Sequence, residues 1–586
     1  MLSTNSLQKK SFGILRISCV VVAIAISFFV VKSFKTRAQT ADSETVTTTV
    51  TVGNSAPSFT VAPYEDPAST DTSPTAIGTT QDPIYVTFRA TATDSNAESY
   101  YLLVCSTSSA SATKSGEPTC TATEYCTSTL TASGSPASCQ HKTDATDPWK
   151  NDWYAFVCDA NATAPACSAA SQGTASDGSE SPFYVNHTPL FTAISTTPSP
   201  ATVDPGASVK WDATASDPDV PGPISGTDPS AVRLLVCKTN AMSNGTCTGG
   251  AWCTSSATGV LDNPSCTYTV PGVAADGQFD AYVFIVDQYN VASTSATQGT
   301  NSSFTINNIA PTVTNVTLNG GNDINLEEAT TKAVSVTATV TDTNGCSTSE
   351  ITNVYAYVYR SGITYNTCSA AATSNPNNCY KGIACTQDAG SCNAGTGAAT
   401  YTCTVNLQYY ADPTDLNTQF PAQNWLASIQ AIDDDGEDPV AHITTGVEVN
   451  SLVAFSVQDE INYGSLRVGE ASDPLKTLVT TATGNVGLDQ EHSGAANMCT
   501  DYPTCSGGTP IPVANQKYAL SATTYALATA LSTSAVEVEL NIAKVTSATP
   551  TTGTTYWGIS IPSGTVAGTY NGANTITAVK GEIANW

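Results

Sequence analysis

Three stretches of the chain repeat one order of hydrophobic and polar positions. Each opens on an alternating run that ends in aspartate: Val86-Thr-Phe-Arg-Ala-Thr-Ala-Thr-Asp94, Val209-Lys-Trp-Asp-Ala-Thr-Ala-Ser-Asp217 and Val334-Ser-Val-Thr-Ala-Thr-Val-Thr-Asp342. Period-2 alternation predicts a strand with one buried face. A short apolar run follows: Tyr100-Tyr-Leu-Leu-Val104, Val232-Arg-Leu-Leu-Val236 and Val354-Tyr-Ala-Tyr-Val-Tyr359. An aromatic-rich run comes later and again ends in aspartate, at Asp159, Asp287 and Asp433. Strand-like runs at 46–52, 181–185 and 303–306 precede Asn54-Ser-Ala-Pro57, Asn186-His-Thr-Pro189 and Asn308-Ile-Ala-Pro311. Proline fixes φ and lacks a donor, so each of these motifs predicts the end of one strand and the start of another. About seven short strands in about 120 residues predict an all-β antiparallel sandwich.

Between the second and third runs lies a cysteine cassette. Its copies are Cys105-x14-Cys120-x5-Cys126-x12-Cys139, Cys237-x9-Cys247-x5-Cys253-x12-Cys266 and Cys368-x10-Cys379-x5-Cys385-x17-Cys403. The Asn-x-x-Pro motifs recur after 132 and 122 residues, and Asn450 follows 142 residues later. The expected organisation is therefore residues 41–187, 188–308 and 309–450 as three repeated units and 451–586 as a different C-terminal β-sandwich domain. Apart from Cys19, the 18 cysteines divide 6, 4, 6 and 2 among these segments. Even counts predict disulfides within each unit. Zinc would need thiolates two to four positions apart, often with histidine, and the chain has only four His. A nested pairing is expected in each cassette: Cys105–Cys139 around Cys120–Cys126, Cys237–Cys266 around Cys247–Cys253, and Cys368–Cys403 around Cys379–Cys385. Elimination then leaves Cys158–Cys167, Cys346–Cys392 and Cys499–Cys505.

These strands, with their Ala-Thr-Ala-Thr-Asp-like ending and later aspartate, resemble the immunoglobulin-like, fibronectin-III, PKD and cadherin-like modules strung along prokaryotic surface proteins. The resemblance covers about residues 45–450 in three copies. It implies tandem sandwiches on an exported chain. The C-terminal run containing Gly568-Thr-Tyr570 and Gly572 resembles β-sandwich tails of secreted proteins with no assigned activity.

Composition narrows the class further. Charged residues are 12% of the 586, and the net charge is -28. Such a balance excludes a surface built for nucleic acid or an anionic bilayer. Residues 1–40 read as a targeting segment, with Lys9, Lys10 and Arg16 before an apolar run from Ile17 to Val31. That run suits a signal peptide ending at Ala38, or an uncleaved N-terminal membrane anchor. The membrane is expected to be met only there.

Candidate chemistry is sparse. No nucleophile elbow, zincin motif, P-loop or dinucleotide fingerprint occurs, so no catalytic residue and no organic cofactor are assigned. In an immunoglobulin-like sandwich the second and sixth strands run the same way. Asp94 with Asp159, Asp217 and Asp219 with Asp287, and Asp342 with Asp433, Asp434 and Asp435 would then gather at one pole of each unit. Clustered carboxylates suit Ca²⁺, a hard cation wanting six to eight oxygens. The competing reading is that each aspartate simply opens a turn by accepting a backbone N–H. Trp153 and Trp425 fall on core strands, whereas Trp149 and Trp252 fall near the cassettes, where an exposed ring would serve a glycan or protein partner. The expected function is an exported cell-surface repeat protein with an adhesive or structural role, on a stalk or in an envelope. A carbohydrate-binding array, or the accessory part of a secreted glycan hydrolase, is the alternative.

Overall fold

The computed structural model describes residues 46–173, 180–219, 228–258 and 263–586. The targeting segment, with Cys19, lies outside them. Met1–Ser55 and Ala56–Trp586 are separate compact units. In the first, the expected strand at 46–52 is absent, and Val46, Val50 and Val52 are exposed. β-propensity alone does not hold a strand when its N–H and C=O groups lack a ladder partner.

The regular structure of the second unit is almost all β-strand. The first sandwich faces a sheet ordered Ser58–Glu65, Tyr85–Thr93, Pro136–Lys142 against one ordered Tyr154–Asp159, Tyr100–Cys105, Glu124–Thr127. Phe183–Asn186 closes it, pairing parallel to Thr75–Ala76 and antiparallel to Lys150–Asn151. Alternation on Tyr85–Thr93 sends Val86, Phe88, Ala90 and Ala92 inward, against Leu102, Val104, Ala155 and Val157. Trp153 fills the middle, edge-on to Phe88 at 5.2 Å between ring centroids. The second sandwich repeats the plan, with Leu190–Thr197, Ser208–Ser216, Ser265–Thr269 facing Ala251–Thr254, Val232–Cys237, Tyr282–Asp287, Thr300–Asn301. Its core centres on Trp211.

The third copy differs. Its strands join in one seven-stranded sheet: Thr312–Leu318, Thr331–Thr341, Ala398–Gln408, Cys379–Gln387, Ile351–Arg360, Trp425–Asp433, Val440–His442. Cys379–Gln387 pairs with a strand from each face and so curls the sheet around the core of Trp425, Val336, Ala356 and Ile429. The C-terminal segment packs a five-stranded sheet, Phe455–Val457, Lys476–Ala482, Thr552–Ile559, Gln516–Ala519, Thr529–Ala530, on the three strands Val536–Ile542, Leu488–Gly494, Asn574–Lys580. Trp557 and Leu478 of the first sheet meet Val538 of the second in one cluster.

The cassettes correct the expected nested pairing. The observed bonds run in sequence: Cys105–Cys120 and Cys126–Cys139, Cys237–Cys247 and Cys253–Cys266, Cys368–Cys379 and Cys385–Cys403. Strand parity is the reason. Val104 points into the inter-sheet core, so Cys105, next along the strand, points to the outer face. There it joins Leu103, Phe156 and Cys158 under the hairpin Ala110–Ser111, Thr119–Cys120. Cys139 points into the core from the opposite sheet, where Cys126 reaches it. Cys237 and Cys266 are separated by the sheet in the same way. One bond of each of the first two cassettes therefore pins the excursion to the outer face, and the other ties the two sheets together. Cys158–Cys167, Cys346–Cys392 and Cys499–Cys505 are paired as elimination suggested.

Candidate metal centres at the sandwich poles

In the first sandwich the turn after Thr93 lies over the end of Tyr154–Asp159, because Tyr100 and Asp159 are register partners. Asp94 Oδ1 accepts the Asn96 N–H at 2.6 Å, and Asp159 Oδ1 accepts the N–H groups of Asn161 and Ala166, both at 3.1 Å. Each aspartate does open or close a turn. That role occupies only one oxygen of Asp94: its Oδ2 is buried and meets no hydrogen-bond partner. Glu98, absent from the sequence reading, joins them. Its Oε1 accepts from Asn161 Nδ2 at 2.7 Å, and its buried Oε2 meets no partner. One oxygen each from Asp94, Glu98 and Asp159 falls within 4.8 Å of the others, the spacing of ligands around one Ca²⁺, whose bonds are about 2.4 Å long.

The second pole reuses the plan. Asp217 Oδ1 accepts the Asp219 N–H at 2.9 Å, and Asp287 Oδ1 accepts the Val291 N–H at 2.8 Å. Asn186, from the Asn-x-x-Pro motif, donates to Asp287 Oδ2 at 2.7 Å. Asp217 Oδ2 and Asn186 Oδ1 are buried without partners. Burial, with the Asp219 and Asp287 charges added, pushes the Asp217 carboxyl up to about 8. Asp219, read from the sequence as a ligand, is engaged elsewhere. Its Oδ2 accepts the His187 N–H at 3.0 Å and its Oδ1 meets His187 Nδ1 at 2.5 Å, which raises the imidazole's affinity for a proton.

At the third pole Asp342 Oδ1 accepts the Asn344 N–H at 2.7 Å, Asp433 Oδ1 accepts the Glu437 N–H at 2.7 Å, and Asn308 donates to Asp433 Oδ2 at 3.1 Å. Asp342 Oδ2, Asn308 Oδ1 and Glu350 Oε1 are buried without partners. Asp276, carried on a loop of the second sandwich, comes within 4.8 Å of Glu350 and Asp434. Burial first, then the surrounding aspartates, pushes Glu350 up to about 7 and Asp342 to about 6. Asp435 is exposed and lies outside this cluster; Asp434, read at this pole from the sequence, is in it, together with Asp276 and Glu350, which were not. Among the described residues, none of these pole carboxylates forms an ion pair with Lys or Arg.

A second repeated device went unread in the sequence. The residue two positions after the pole aspartate grips the linker: Asp219 takes the His187 N–H, and Asn344 Oδ1 takes the Ile309 N–H at 2.7 Å. Asn344 also donates to the carbonyls of Ala274 and Asn307, at 3.2 and 3.0 Å. Asn485 repeats the pattern before the C-terminal segment. It accepts the Leu452 N–H at 2.6 Å and donates to the carbonyls of Ala411 and Asn450, both at 3.1 Å. The spacing Asp-x-Asp/Asn at 217–219 and 342–344 was the available signal. At this last junction the buried carboxylate has cations beside it, since Asp412 pairs with both Arg360 and Lys544 at 3.1 Å.

The tryptophans are packing residues. Trp149 is buried against Tyr184 and Tyr289, and Trp252 sits among Tyr268, Phe279 and Phe304 with Nε1 donating to the Asp280 carbonyl at 2.8 Å. Among the described residues no tryptophan is exposed. A groove in the third copy, between 313–318 and 441–447, is lined by Thr, Val and Ile with His442 and holds no acidic side chain.

No family model matches the chain, and no curated protein does. Among solved structures, the FN1-FN3 domains of chicken CNTN1 align at 9% identity over 64% of this chain and 99% of that one, with a TM-score of 0.17. The EC1-3 domains of Drosophila N-cadherin align at 13% identity over 55% and 84%, with a TM-score of 0.15. Domains 1-6 of the surface layer protein SbsC align at 11% identity over 74% and 61%, with a TM-score of 0.14. Scores of this size carry no inference about activity, and the sandwich architecture rests on the strand order itself.

Proposed function

We propose that this is a repeat protein of the cell exterior with a structural or adhesive role, whose units 41–187, 188–308 and 309–450 are set against their neighbours by Ca²⁺ at the acidic poles, with 451–586 as a distinct terminal domain. The observation that carries this is a recurrence: Asp94 Oδ2, Asp217 Oδ2 and Asp342 Oδ2 are buried without a partner at the same place in three successive copies. A buried carboxylate oxygen without a donor costs free energy, and a cation removes that cost at all three. Nine disulfides support an oxidising compartment and hence a place outside the cytoplasm. Among the described residues no tryptophan is exposed to stack on a sugar ring, which favours this role over a carbohydrate-binding array.

Extracellular sites bind at about 10⁻⁴–10⁻³ M, so a few millimolar Ca²⁺ stabilises each by about 1–2 kcal/mol. The test is calorimetry and limited proteolysis of the purified chain in EGTA and in about 2 mM Ca²⁺, above the affinity expected of an extracellular site. Ca²⁺ is expected to raise the melting transitions and to protect the linkers at 186–189 and 307–311. Asp217→Asn and Asp342→Asn are each expected to remove the protection at their own linker. Identical melts and identical cleavage in both conditions would overturn the proposal.

A further inference from the structure

The C-terminal segment holds a fourth cluster of carboxylates, unrelated to the repeats. Asp489 lies on the central strand Leu488–Gly494 and is fully buried. Its edge partner Val536–Ile542 is bulged here: Leu488 pairs with Ile542 and Gln490 with Val538, so Glu539, Leu540 and Asn541 all stand opposite Asp489. A bulge re-aims side chains, and this one turns the Asn541 N–H onto Asp489 Oδ1 at 2.6 Å. Asp489 Oδ2 is left buried with no hydrogen-bond partner. On the other side the chain leaves Asn574–Lys580 and crosses the strand end at Gly581. A Cβ at Gly581 would stand 2.9 Å from Asp489 Oδ2, so glycine lets the backbone pass without crowding that oxygen. Glu582 then comes over it. One oxygen each of Asp489, Glu539 and Glu582 lies within 4.8 Å of the other two.

The last residues hold this arrangement in place. Trp586 donates from Nε1 to the Gly581 carbonyl at 2.8 Å and packs on Gly487, Asn585 donates to Asn541 Oδ1, and Lys580 stands over the Trp586 ring. Among the described residues no Lys, Arg or His pairs with any of the three carboxylates. Three negative charges are thus held together by backbone and ring packing, and a buried oxygen faces them with nothing to accept from.

We propose that Asp489, Glu539 and Glu582 form a Ca²⁺ site that fastens residues 581–586 to the bulged edge of the C-terminal sandwich. All donors are oxygens, two of the three side chains are exposed, and water completes the shell, which suits the larger and more tolerant ion over Mg²⁺ with its strict octahedron. Burial first, then the Glu582 charge, raises Asp489, and the Glu582 charge raises Glu539; a bound cation offsets the repulsion among the three. This site is independent of the repeat poles.

The test is a Ca²⁺ titration by calorimetry on the full chain, with Tb³⁺ luminescence excited through tryptophan as a second probe. Asp489→Asn keeps the acceptor for the Asn541 N–H, and Glu582→Gln changes only an exposed side chain, so neither depends on the fold surviving a core truncation. Each is expected to bind one Ca²⁺ fewer than the wild type. The Tb³⁺ signal lost in Trp586→Phe is expected to be lost in Glu582→Gln too. Unchanged stoichiometry in both variants would overturn the site even if the poles bind Ca²⁺. So would a cluster that responds only to acid, with the tryptophan fluorescence shifting on acidification and ignoring Ca²⁺, because the carboxylates would then be sharing a proton.

Discussion

Two buried titratable side chains give opposite pH responses in two sandwiches. Glu65 accepts from Trp153 Nε1 and from the Ser69 N–H, both at 2.8 Å, yet burial outweighs these bonds and pushes its carboxyl from 4.5 up to about 7. A carboxyl raised in the folded state holds its proton more tightly there. Its contribution is therefore fully present below about pH 4.5 and is lost as pH rises through about 7. His492 is the reverse case. It is buried between Tyr518 and Trp557, Nε2–H donates to Gln490 Oε1 at 2.9 Å, and burial lowers it from 6.5 to about 4. Its contribution is present above pH 6.5 and is lost as pH falls toward 4. Each displacement corresponds to about 3 kcal/mol. Segment-resolved hydrogen exchange, corrected for intrinsic rates, is expected to show that going from pH 7 to 4.5 slows exchange in 85–105 and speeds it in 476–494. Glu65→Gln is expected to flatten the first response and leave the second. Neither residue stands out in the sequence, because burial of a lone charge depends on what folds over it.

At the scale of elements, the cassettes show where strand pattern stopped being sufficient. The alternating, apolar and aromatic runs became Tyr85–Thr93, Tyr100–Cys105 and Tyr154–Asp159, and their counterparts in the next two copies, within a few residues of the reading. The pairing of cysteines did not follow from spacing. A run that is apolar on both faces, as Val232–Cys237 is, implies a second cluster outside the sandwich core. Only that cluster, Leu235, Cys237, Phe284 and Val286 with Met242 and Cys247, shows which side Cys237 occupies. Replacing Cys253 and Cys266 by alanine removes a tie between the two sheets across a separation of 13 residues. About 3 kcal/mol is expected to be lost, read as a lower denaturation midpoint of the second sandwich. Loss of Cys237–Cys247 pins only the outer excursion, so its cost is expected to fall on local exchange in 238–250 more than on global unfolding.

Across the whole unit from Ala56 to Trp586, neighbouring sandwiches share side chains. Tyr289 of the second stacks on Trp149 of the first at 5.7 Å between ring centroids, and its hydroxyl donates to the Asp71 carbonyl at 2.6 Å. Tyr289→Ala is expected to remove about 1–2 kcal/mol of coupling and to separate the first two sandwiches into distinct calorimetric transitions. Tyr409 and Tyr410 of the third copy pack into a cluster with Leu488, Ile542 and Val545 of the C-terminal segment. Lys544 crosses the same junction to Asp412 and the Tyr410 carbonyl. Lys544→Ala leaves Asp412 paired with Arg360 alone and removes the bond to the Tyr410 carbonyl; it is expected to cost about 2 kcal/mol, read as earlier melting of the C-terminal segment.

What the chain determined by itself was the β architecture, its threefold recurrence and its dependence on disulfides, because strand alternation, turn residues and even cysteine counts are local or countable. It also marked Asp94, Asp159, Asp217, Asp287, Asp342 and Asp433, since each ends a strand of known direction. Only the tertiary structure decided which oxygens at the poles are left without a donor, that Glu98, Asp276 and Glu350 join them, that Asp219 grips a linker, and that Asp489 meets Glu582 across a sheet. Those facts depend on which face a side chain takes and which distant segment covers it, and separation along a sequence contains neither.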